Sequence, residues 1–316
     1  MNEKTKCSIV VSVFNESAVL QQFYSTLIGI IDTQNSDFEI VFVNDGSTDN
    51  SRQILDEFAE KDYRVRAIHF SRNFGHEAAM IAGIDYAKGD AIICMDADLQ
   101  NPPQLIAEIL KKYEDGNDIV TMVREDRADG GLYKRITSAV FYKIMNMLSD
   151  SKLQQNASDF FLISNKVADV LRNNYRERTR FLRGFIQTIG FKHTSLPYNA
   201  PKRAAGESKY SFIKLAHFAF NSLVSFSKAP LKLGIYSGLL FSMLSIVLII
   251  FSFIMWIIDR PIGGYTTLII FLSAFAGILL IVVGIIGYYI GFILDEVKGR
   301  PIYIVDNINS QTTNER

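Results

Sequence analysis

Residues 91–100 read AIICMDADLQ, an apolar run of strand-forming residues followed by two aspartates separated by one residue. Similar β-branched runs occur on both sides of it, and segments with helical periodicity lie between them. The predicted strands are residues 8–13, 38–43, 65–70, 91–95 and 118–123. The predicted helices are a stretch ending near Ile31 and residues 49–61, 76–87 and 102–113. This alternation predicts an α/β fold with a doubly wound, mostly parallel sheet.

Polar and acidic residues stand where these strands end. They are Asn15, Glu16, Asn44, Asp45, Ser71, Arg72, Asn73, Asp96, Asp98 and Arg124. Ligands of doubly wound sheets bind beyond the carboxyl ends of the strands, so these residues predict a ligand site. The chain has no G-x-G-x-x-G, no G-x-x-x-x-G-K-[ST] and no nucleophile elbow. Those absences disfavour nicotinamide dinucleotides, P-loop chemistry and Ser-His-Asp hydrolysis.

Asp96 and Asp98 suit a hard divalent cation, Mg²⁺ or Mn²⁺. Such an ion usually takes one or two carboxylates and completes its shell with phosphate oxygens and water. A D-x-D pair alone is a weak signal, but the strand before it, Gln100 after it and the two prolines that open the next helix strengthen it. Asp45 fits two roles: it is a typical turn former, and its carboxylate suits hydrogen bonds from a nucleobase or ribose.

The chain has 316 residues, with 33 basic and 33 acidic side chains. The net charge of zero excludes binding to nucleic acid through bulk charge. Residues 233–294 carry only two charges, Asp259 and Arg260. Within them, the uncharged runs 233–258 and 265–294 each exceed the roughly 20 residues that cross a bilayer. We therefore expect two transmembrane helices joined as a hairpin.

Basic residues flank this hairpin: Lys228 and Lys232 before it, and Lys298 and Arg300 after it. The positive-inside rule then places both outer ends in the cytoplasm. The N-terminal residues MNEKTKCSIVVSV lack the long apolar region of a signal peptide. We therefore expect the globular domain, residues 1–209, and the tail, residues 295–316, on the cytoplasmic side of the plasma membrane.

Residues 210–232 lie between the globular domain and the first predicted span. Their polar and apolar side chains alternate at helical spacing, which predicts amphipathic juxtamembrane helices on the membrane surface. A helix packed on the domain core is the alternative. From residue 172 to 214, ten Lys and Arg stand against two Glu, a local net charge of +8 that suits anionic lipid headgroups. The polar residues after Val305 predict a disordered tail.

Several single residues carry weaker signals. Gly287 and Gly291 form a small-xxx-small pair in the second span, which favours packing against the first span or, alternatively, contact in a homo-oligomer. Cys7 and Cys94 lie in apolar runs, and we expect two buried thiols. The four histidines are expected to be structural, and His76 is the exception to follow because it lies near the predicted cleft.

Five segments occur in order along the chain: SIVVSVFNE, VNDGSTDNS, SRNFGHEAA, MDADLQNPP and RAAGESKY. Together they resemble the polyprenyl-phosphate glycosyltransferases of glycosyltransferase family 2, the group that includes dolichol-phosphate mannose synthase. The two C-terminal spans look like those of its bacterial undecaprenyl-phosphate branch. The resemblance covers residues 7–305. It implies a GT-A fold and inverting transfer of a sugar from a nucleotide-diphosphate sugar to the phosphate of a membrane polyprenol.

The resemblance also implies roles for individual residues. Glu16 and Asp45 would hold the nucleotide, and Asp96, Asp98 and Gln100 the metal and diphosphate. Asp159 would lie near the transferred sugar, and Asp98, Asp159 and Lys209 would form the catalytic set. Arg124, Arg135 and Ser138 would bind the lipid phosphate. Arg203, Ser208 and Lys209 would face the phosphates.

The sequence departs from the family pattern at four positions. Ser12 stands where proline is frequent, and Asn101 where aspartate is. Ser158 and Phe161 stand where Gly and Arg are common, close to Asp159. The sugar therefore stays open: UDP-glucose and UDP-N-acetylglucosamine are favoured, and GDP-mannose is the third option. Transfer to another lipid or a polysaccharide, and a non-catalytic membrane scaffold that binds nucleotide-sugar, are the alternative functions.

Overall fold

The computed structural model describes residues 4–125, 154, 156–178, 180–201, 229–258 and 264–311. The chain divides into two compact units. Met1–Asn146, Ser151–Ser211 and Pro301–Arg316 make up the first unit, and Met147–Asp150 and Phe212–Arg300 the second. Most of the predicted amphipathic region, residues 210–228, lies outside the described residues.

The first unit is built on a sheet of eight described strands. They are β1 (Lys6–Val13), β2 (Asp37–Asn44), β3 (Val65–Phe70), β4 (Ala91–Asp96), β5 (Ile119–Arg124), β6 (Ala157–Ser164), β7 (His193–Tyr198) and β8 (Val305–Ser310). Their order across the sheet is β7-β5-β6-β4-β1-β2-β3-β8. The five strands predicted from sequence are all present, at bounds within a residue or two.

The sheet is mixed. Strands β4, β1, β2 and β3 are parallel neighbours, as are β5 and β7. Strand β6 runs antiparallel to both β4 and β5, and β8 runs antiparallel to β3. The parallel centre is the doubly wound part that the sequence predicts, and its strands end together at the edge where the polar residues stand.

Helices cover the sheet. They are α1 (Leu20–Ile31), α2 (Ser51–Lys61), α3 (His76–Tyr86), α4 (Ile106–Glu114), α5 (Asn165–Asn174) and α6 (Leu182–Thr188). In α1 the buried residues Leu20, Phe23, Leu27 and Ile31 recur at three- and four-residue spacing, which makes one apolar face. Helix α3 is buried from Ala78 to Ile84, because it packs against β1 and β2 in the middle of the sheet.

A glycine sets the distance between α3 and the sheet. A Cβ atom added at Gly83 would overlap the Val10 side chain of β1. Valine is β-branched and stiff at χ1, so it cannot turn away. The glycine therefore lets α3 approach β1 closely enough to bring His76, at its first turn, to the ends of β1 and β4.

The C-terminal tail corrects one expectation. The residues after Val305 were predicted to be disordered, but Val305–Ser310 form β8, the edge strand beside β3. Ile308 lies opposite Ile68, and the backbone of β3 gains partners along an edge that would otherwise be open. The polar sequence VDNINS suits an edge strand with two polar sides, which composition alone does not distinguish from a disordered tail.

The described part of the second unit consists of α7 (Ala229–Ile257) and α8 (Tyr265–Val297). Both are long and apolar enough to cross a membrane, over Gly234–Met255 and Ala274–Val297. Their large apolar side chains are exposed, as with Met243 at 63% and Ile281 at 62%, which suits contact with lipid rather than a protein core. Two candidate membrane spans are thus present where the sequence predicts them.

The two long helices approach each other at a different glycine from those the sequence favoured. A Cβ added at Gly234 would lie 2.9 Å from Val282 Cγ1, so this glycine marks the close contact. Added Cβ atoms at Gly284, Gly287 and Gly291 would meet none of the described atoms within 4 Å. Among the described residues the close contact is therefore at Gly234, and packing of Gly287 and Gly291 against the first span stays a prediction. Contact in a homo-oligomer stays a prediction.

Candidate active site

Two loops at the carboxyl ends of β1 and β2 are joined by hydrogen bonds. Asn15 adopts a left-handed backbone conformation with φ 56°, and its Oδ1 accepts a bond from Thr48 N at 2.8 Å. In return, Asn15 N donates to Ser47 Oγ at 2.9 Å. The segments FNES and DGSTDNS, which the sequence singled out separately, therefore form one continuous surface.

The same surface fixes Glu16 and Asp49. The backbone N–H of Glu16 donates to Ser51 Oγ at 3.1 Å, at the start of α2. Asp49 accepts bonds from the backbone N–H groups of Ser17 and Ser51 at 3.0 Å each. Burial opposes ionisation of Asp49, but hydrogen bonds from the side chains and the backbone N–H groups of Ser51 and Ser17 outweigh it and lower the pKa of its carboxyl to about 2. A charged Asp49 thus holds the two loops together at neutral pH.

Asp45 is buried and holds a third loop, residues 71–75. Its Oδ1 accepts a bond from Phe74 N at 2.6 Å, and its Oδ2 accepts one from Gly75 N at 2.9 Å. Burial raises the pKa of the Asp45 carboxyl, and these two bonds oppose the rise. Both oxygens thus have loop partners, and the proposed contact of Asp45 with a nucleotide would use their remaining lone pairs.

His76, the first residue of α3, lies between two aspartates. Its Nδ1 is 2.9 Å from Ser12 Oγ and 3.5 Å from Asp96 Oδ1, and its Nε2 is 3.6 Å from Asp159 Oδ2. Ser12 Oγ also donates to Asp96 Oδ1 at 3.1 Å. The ends of β1 and β4, the start of α3 and strand β6 therefore bring these four side chains into one group.

Two further charged residues complete this group. Arg183 of α6 lies with its Nε 2.8 Å from Asp159 Oδ1, and its Nη1 donates to the backbone oxygen of Ala157 at 3.2 Å. Glu77 Oε2 accepts a bond from Leu182 N at 3.0 Å, which ties the start of α6 to α3. The contact places Arg183 beside Asp159.

The ionisation of these groups follows from their neighbours. Burial lowers the pKa of His76, but Asp96 and Asp159 outweigh it and raise the value to about 10. Burial opposes ionisation of Asp159, yet Arg183 and His76 hold the pKa of this carboxyl well below its usual range. Burial raises the pKa of Asp96, and His76 opposes the rise. Asp159 is therefore an anion at neutral pH, facing two cations.

A buried tyrosine connects Arg124 to this group. Arg124 Nε donates to Tyr198 Oη at 2.9 Å, and that hydroxyl lies 2.9 Å from Ser158 Oγ and 3.2 Å from Asn101 Oδ1. Asn101 Nδ2 in turn lies 3.4 Å from Asp96 Oδ2. Three of the positions that depart from the family pattern, Ser12, Asn101 and Ser158, thus belong to the hydrogen bonds around Asp96.

The other predicted site residues fall into two sets. Asp98 and Gln100 lie beyond β4, where Gln100 N donates to Asp98 Oδ1 at 3.0 Å. The remaining predicted site residues lie outside the described part of the chain and stay predictions: Arg135, Ser138, Arg203, Ser208 and Lys209.

Residues 8–172 match the family model described as "Glycosyl transferase family 2". The chain belongs to this family. The match covers the centre of the sheet and the group around His76 except Arg183, and it ends within α5. The resemblance found in the sequence is thus confirmed at the level of the family, and the chain is a glycosyltransferase.

Several relatives of this family 2 chain match it over nearly its whole length. An uncharacterized glycosyltransferase of Bacillus subtilis (strain 168) is 40% identical over 306 residues, which are 96% of this chain and 94% of the relative. The bactoprenol glucosyl transferase of Shigella phage SfV is 37% identical over 308 residues, covering 96% and 98%. Similarity therefore extends through the candidate membrane spans.

A solved structure shares the fold of this family 2 domain. It is glucosyl-3-phosphoglycerate synthase from Mycobacterium tuberculosis, in complex with Mn²⁺, UDP-glucose and phosphoglyceric acid. The TM-score is 0.51 at 14% identity, covering 70% of this chain and 78% of that one. This similarity supports the GT-A fold that the sequence predicts.

Three groups of this glycosyltransferase have the spacing of a metal site. Ligand atoms of His76, Asp96 and Asp159 all lie within 4.8 Å of one another. Carboxylate oxygens are the ligands that Mg²⁺ and Mn²⁺ prefer. The carboxylates of Asp96 and Asp159 fit a hard divalent cation, whereas His76 would have to release its proton before its nitrogen could serve as a third ligand. Asp98, which the sequence favoured as a ligand, is not one of the three.

Sequence reasoning missed several residues of the site. Arg183 was counted only as part of a basic region, and Glu77 and Tyr198 were not singled out. Their spacing along the chain carries no signal, because each reaches the site from a different element. His76 was marked only by its position after SRNFG, and its contacts with both aspartates show why that position matters.

Proposed function

We propose that this glycosyltransferase moves a sugar from a nucleotide-diphosphate sugar to the phosphate of a polyprenol, with inversion at the anomeric carbon. The observation that carries the proposal is a group of ionised side chains at the strand ends, in a chain that also has two candidate membrane spans. The full-length similarity to proteins named bactoprenol glucosyl transferase supports the same acceptor.

The reaction exchanges one bond for another at the anomeric carbon. The bond to the nucleotide's β-phosphate oxygen breaks and leaves a nucleoside diphosphate, while an oxygen of the polyprenyl phosphate forms the new bond. The acceptor phosphate is already anionic at neutral pH, so no strong base is required. Holding two anionic substrates in line is then much of the task, and positioning can contribute several kcal/mol.

On the donor side, Glu16 and Asp45 would contact the nucleotide at the joined loops. Asp96 and Asp98, with Gln100, would hold the diphosphate end, together with a divalent cation, Mg²⁺ or Mn²⁺. When bound, that cation would neutralise negative charge on the departing diphosphate. Arg203, Ser208 and Lys209 would face the phosphates, as the family pattern implies.

Near the transferred sugar, Asp159 would accept hydrogen bonds from sugar hydroxyls. Its ion pairs with Arg183 and His76 support this role, because they keep the carboxylate charged and fixed in direction. The donors that we favour are UDP-glucose and UDP-N-acetylglucosamine, and the names of the relatives favour glucose.

On the acceptor side, Arg124 would bind the lipid phosphate together with Arg135 and Ser138. The guanidinium of Arg124 has one N–H committed to Tyr198, which leaves its outer nitrogens in a fixed direction. A guanidinium binds phosphate through two parallel bonds, where lysine acts as a point charge. This geometry supports a phosphate site at the end of β5.

The proposal includes an arrangement in the membrane. Residues 1–209 would form the GT-A domain, residues 210–232 the juxtamembrane helices, and residues 233–258 and 265–294 the two spans. The basic residues at the outer ends support a cytoplasmic domain and tail at the plasma membrane. Polyprenyl phosphate would then be captured from the surrounding lipids, and a homo-oligomer is compatible with this arrangement.

A donor panel tests the proposal. The full chain in liposomes with undecaprenyl phosphate would receive UDP-glucose, UDP-N-acetylglucosamine or GDP-mannose, and the lipid product would be identified by mass spectrometry. We expect one donor to give a polyprenyl-phosphate sugar and free nucleoside diphosphate. Asp98→Asn should reduce this turnover by about 10²-fold or more, since an amide is a poorer ligand for a hard cation. Sugar on diacylglycerol or polysaccharide, or no nucleotide release with any donor, would overturn the proposal.

A further inference from the structure

We infer that the C-terminal segment, residues 302–311, is a positioning element of the donor site, and that Tyr303 is its main contact. The inference rests on the proposed function, because it concerns how the nucleotide-sugar site is held. The segment follows the second candidate span in sequence, yet it belongs to the compact unit that contains the site. Nothing in its composition indicates such a role.

The segment is attached to the protein at the end of β3. Ser71 N donates to the backbone oxygen of Ile304 at 3.0 Å, just where β3 ends and loop 71–75 begins. Register shifts between His69 and Phe70, so the pairing is irregular at this point. The hydrogen bond therefore fixes the first residue of the loop rather than the body of the strand.

A series of aromatic contacts leads from Tyr303 to Phe74, which is hydrogen-bonded to Asp45. The Tyr303 ring is stacked on Phe70, with centroids 5.2 Å apart and planes 9° apart. Phe70 contacts Phe74 edge to face at 5.7 Å. The amide of Phe74 donates to Asp45 Oδ1. Tyr303 is thus connected to Asp45 through the rings of Phe70 and Phe74 and the backbone amide of Phe74. We place the Asp45 carboxylate at the nucleotide.

Arg180 makes a second connection between the C-terminal segment and the site. Arg180 Nη1 donates to the backbone oxygen of Ile302 at 3.1 Å. The same guanidinium interacts electrostatically with Glu77 and Asp45. The tail therefore holds a cation whose charge acts on Asp45, before loop 71–75, and on Glu77, at the start of α3.

The Tyr303 hydroxyl has a separate partner, which allows its two contacts to be tested independently. It donates to Asp85 Oδ2 at 2.7 Å, and Asp85 is also paired with Arg176 at 2.9 Å. These partners lie at the last turn of α3 and beyond α5, away from His76. Removing the hydroxyl changes this contact alone, whereas removing the ring releases Phe70 and Phe74.

The far end of the segment supplies a matched control. Asn309 Nδ2 donates to Asp56 Oδ1 at 3.0 Å, and Asp306 pairs with Arg52 at 2.9 Å. These contacts attach β8 to α2 and do not involve loop 71–75. If the tail only stabilised the fold, removing the contacts of Tyr303 or those of Asn309 would affect donor affinity and turnover to the same extent.

The experiment measures donor affinity and turnover in full-length Tyr303→Ala, Tyr303→Leu, Tyr303→Phe and Asn309→Ala proteins. The probe is UDP-glucose with Mn²⁺, or UDP-N-acetylglucosamine if the donor panel selects it, titrated calorimetrically without acceptor. Tyr303→Ala and Tyr303→Leu should raise the donor Kd and the donor KM about three- to tenfold, the size of one aromatic contact. Tyr303→Phe should restore both within about twofold, and Asn309→Ala should leave both unchanged. The acceptor KM should stay the same throughout.

Two outcomes would overturn the inference. An unchanged donor Kd in Tyr303→Ala and Tyr303→Leu, with only the melting temperature lowered, would make the tail a purely structural strand. An equal rise of Kd in Asn309→Ala would remove the special role of Tyr303. In either case the wild-type protein still binds and transfers, so the proposed function survives. A wild-type protein that binds no nucleotide-sugar would overturn both.

Discussion

Tyr198 connects Arg124, which we propose to bind the acceptor phosphate, to the hydrogen bonds around Asp96. Its hydroxyl accepts from Arg124 and lies within hydrogen-bond distance of Asn101 and Ser158. The ring is buried and comes from β7, at the edge of the sheet. Loss of the hydroxyl would leave buried polar partners unsatisfied, at about 1–3 kcal/mol.

We therefore predict that Tyr198→Phe lowers turnover about tenfold and raises the acceptor KM, because Arg124 loses its fixed direction. Initial rates at varied donor and acceptor concentrations measure both. Tyr113→Phe is the matched control, since its hydroxyl bonds to the Asp90 carbonyl oxygen at the opposite end of β4. Equal effects of the two substitutions would contradict a specific role for Tyr198.

His69 makes stability depend on pH. It is fully buried in β3, with Nδ1 3.1 Å from Asn44 Nδ2 and Nε2 3.0 Å from Asp56 Oδ1. Burial lowers the pKa of His69, and Asp56 only partly opposes this. The unfolded state, with a pKa near 6.5, therefore binds the proton more readily than the folded state.

The direction of the pH dependence of stability follows from this lower pKa of His69 in the folded state. The stability contribution of neutral His69 should be complete above pH 6.5 and decline as the pH falls, by at most about 1.4 kcal/mol per pH unit. Thermal unfolding in detergent between pH 5.5 and 7.5 would compare the wild-type protein with His69→Gln. We expect the difference between them to shrink on acidification. A difference that is constant across this range would show that His69 does not titrate there.

At the residue scale, the sequence anticipated site residues at strand ends better than site residues on helices. Asp96 and Asp45 end apolar strands, so local pattern sufficed to mark them. Arg183 and Glu77 were not marked as site residues. Glu77 of α3 accepts a hydrogen bond from Leu182 N, and this contact places the neighbouring Arg183 of α6 beside Asp159. Residues whose function depends on the packing of one helix against another are not marked by any periodic pattern in the amino-acid sequence.

At the scale of elements, the contact between α3 and β1 decides where His76 lies. Gly83→Ala should destabilise the protein by about 1–3 kcal/mol, because the new methyl group overlaps Val10 and the helix must move outward. It should also weaken the donor site, since His76 is part of the same helix. Chemical denaturation and donor titration measure the two effects.

Gly29→Ala is the matched control for that prediction. Gly29 lies in α1 on an exposed face, and an added Cβ would meet no described atom within 4 Å. The substitution should be neutral or stabilise the protein by up to about 1 kcal/mol, since alanine is the better helix former. Destabilisation of similar size at both positions would show that overlap with Val10 is not the cause.

Elements with strong periodicity were predicted, and those without it were not. The five apolar strands and both candidate spans agree with the structure. Strands β6 and β7 were not predicted, and β8 was assigned to disorder. Strand β8 has the sequence VDNINS, and its order comes from pairing with β3, a partner about 240 residues earlier in the chain. Such long-range pairing is not encoded in local composition.

At the scale of the whole molecule, the tail changes how the role of the membrane spans must be tested. A chain that ends after Lys228 lacks β8 as well as both long helices, so a loss of donor affinity in that chain alone cannot be assigned to either. A chain that ends after Arg300 lacks β8 but keeps both helices. Comparing the two separates the spans from the tail, which a single truncation does not.

We predict that both truncated proteins bind the nucleotide-sugar equally, and more weakly than the full chain. On undecaprenyl phosphate in bilayers, the chain ending after Lys228 should be slower than the chain ending after Arg300 by about 10²-fold. Residence at the membrane raises the effective concentration of the acceptor by such a factor. A short-chain polyprenyl phosphate in solution is the control, because neither protein gains from membrane residence there and their rates should converge. Equal rates on the bilayer acceptor would mean that the two candidate spans do not contribute to acceptor capture.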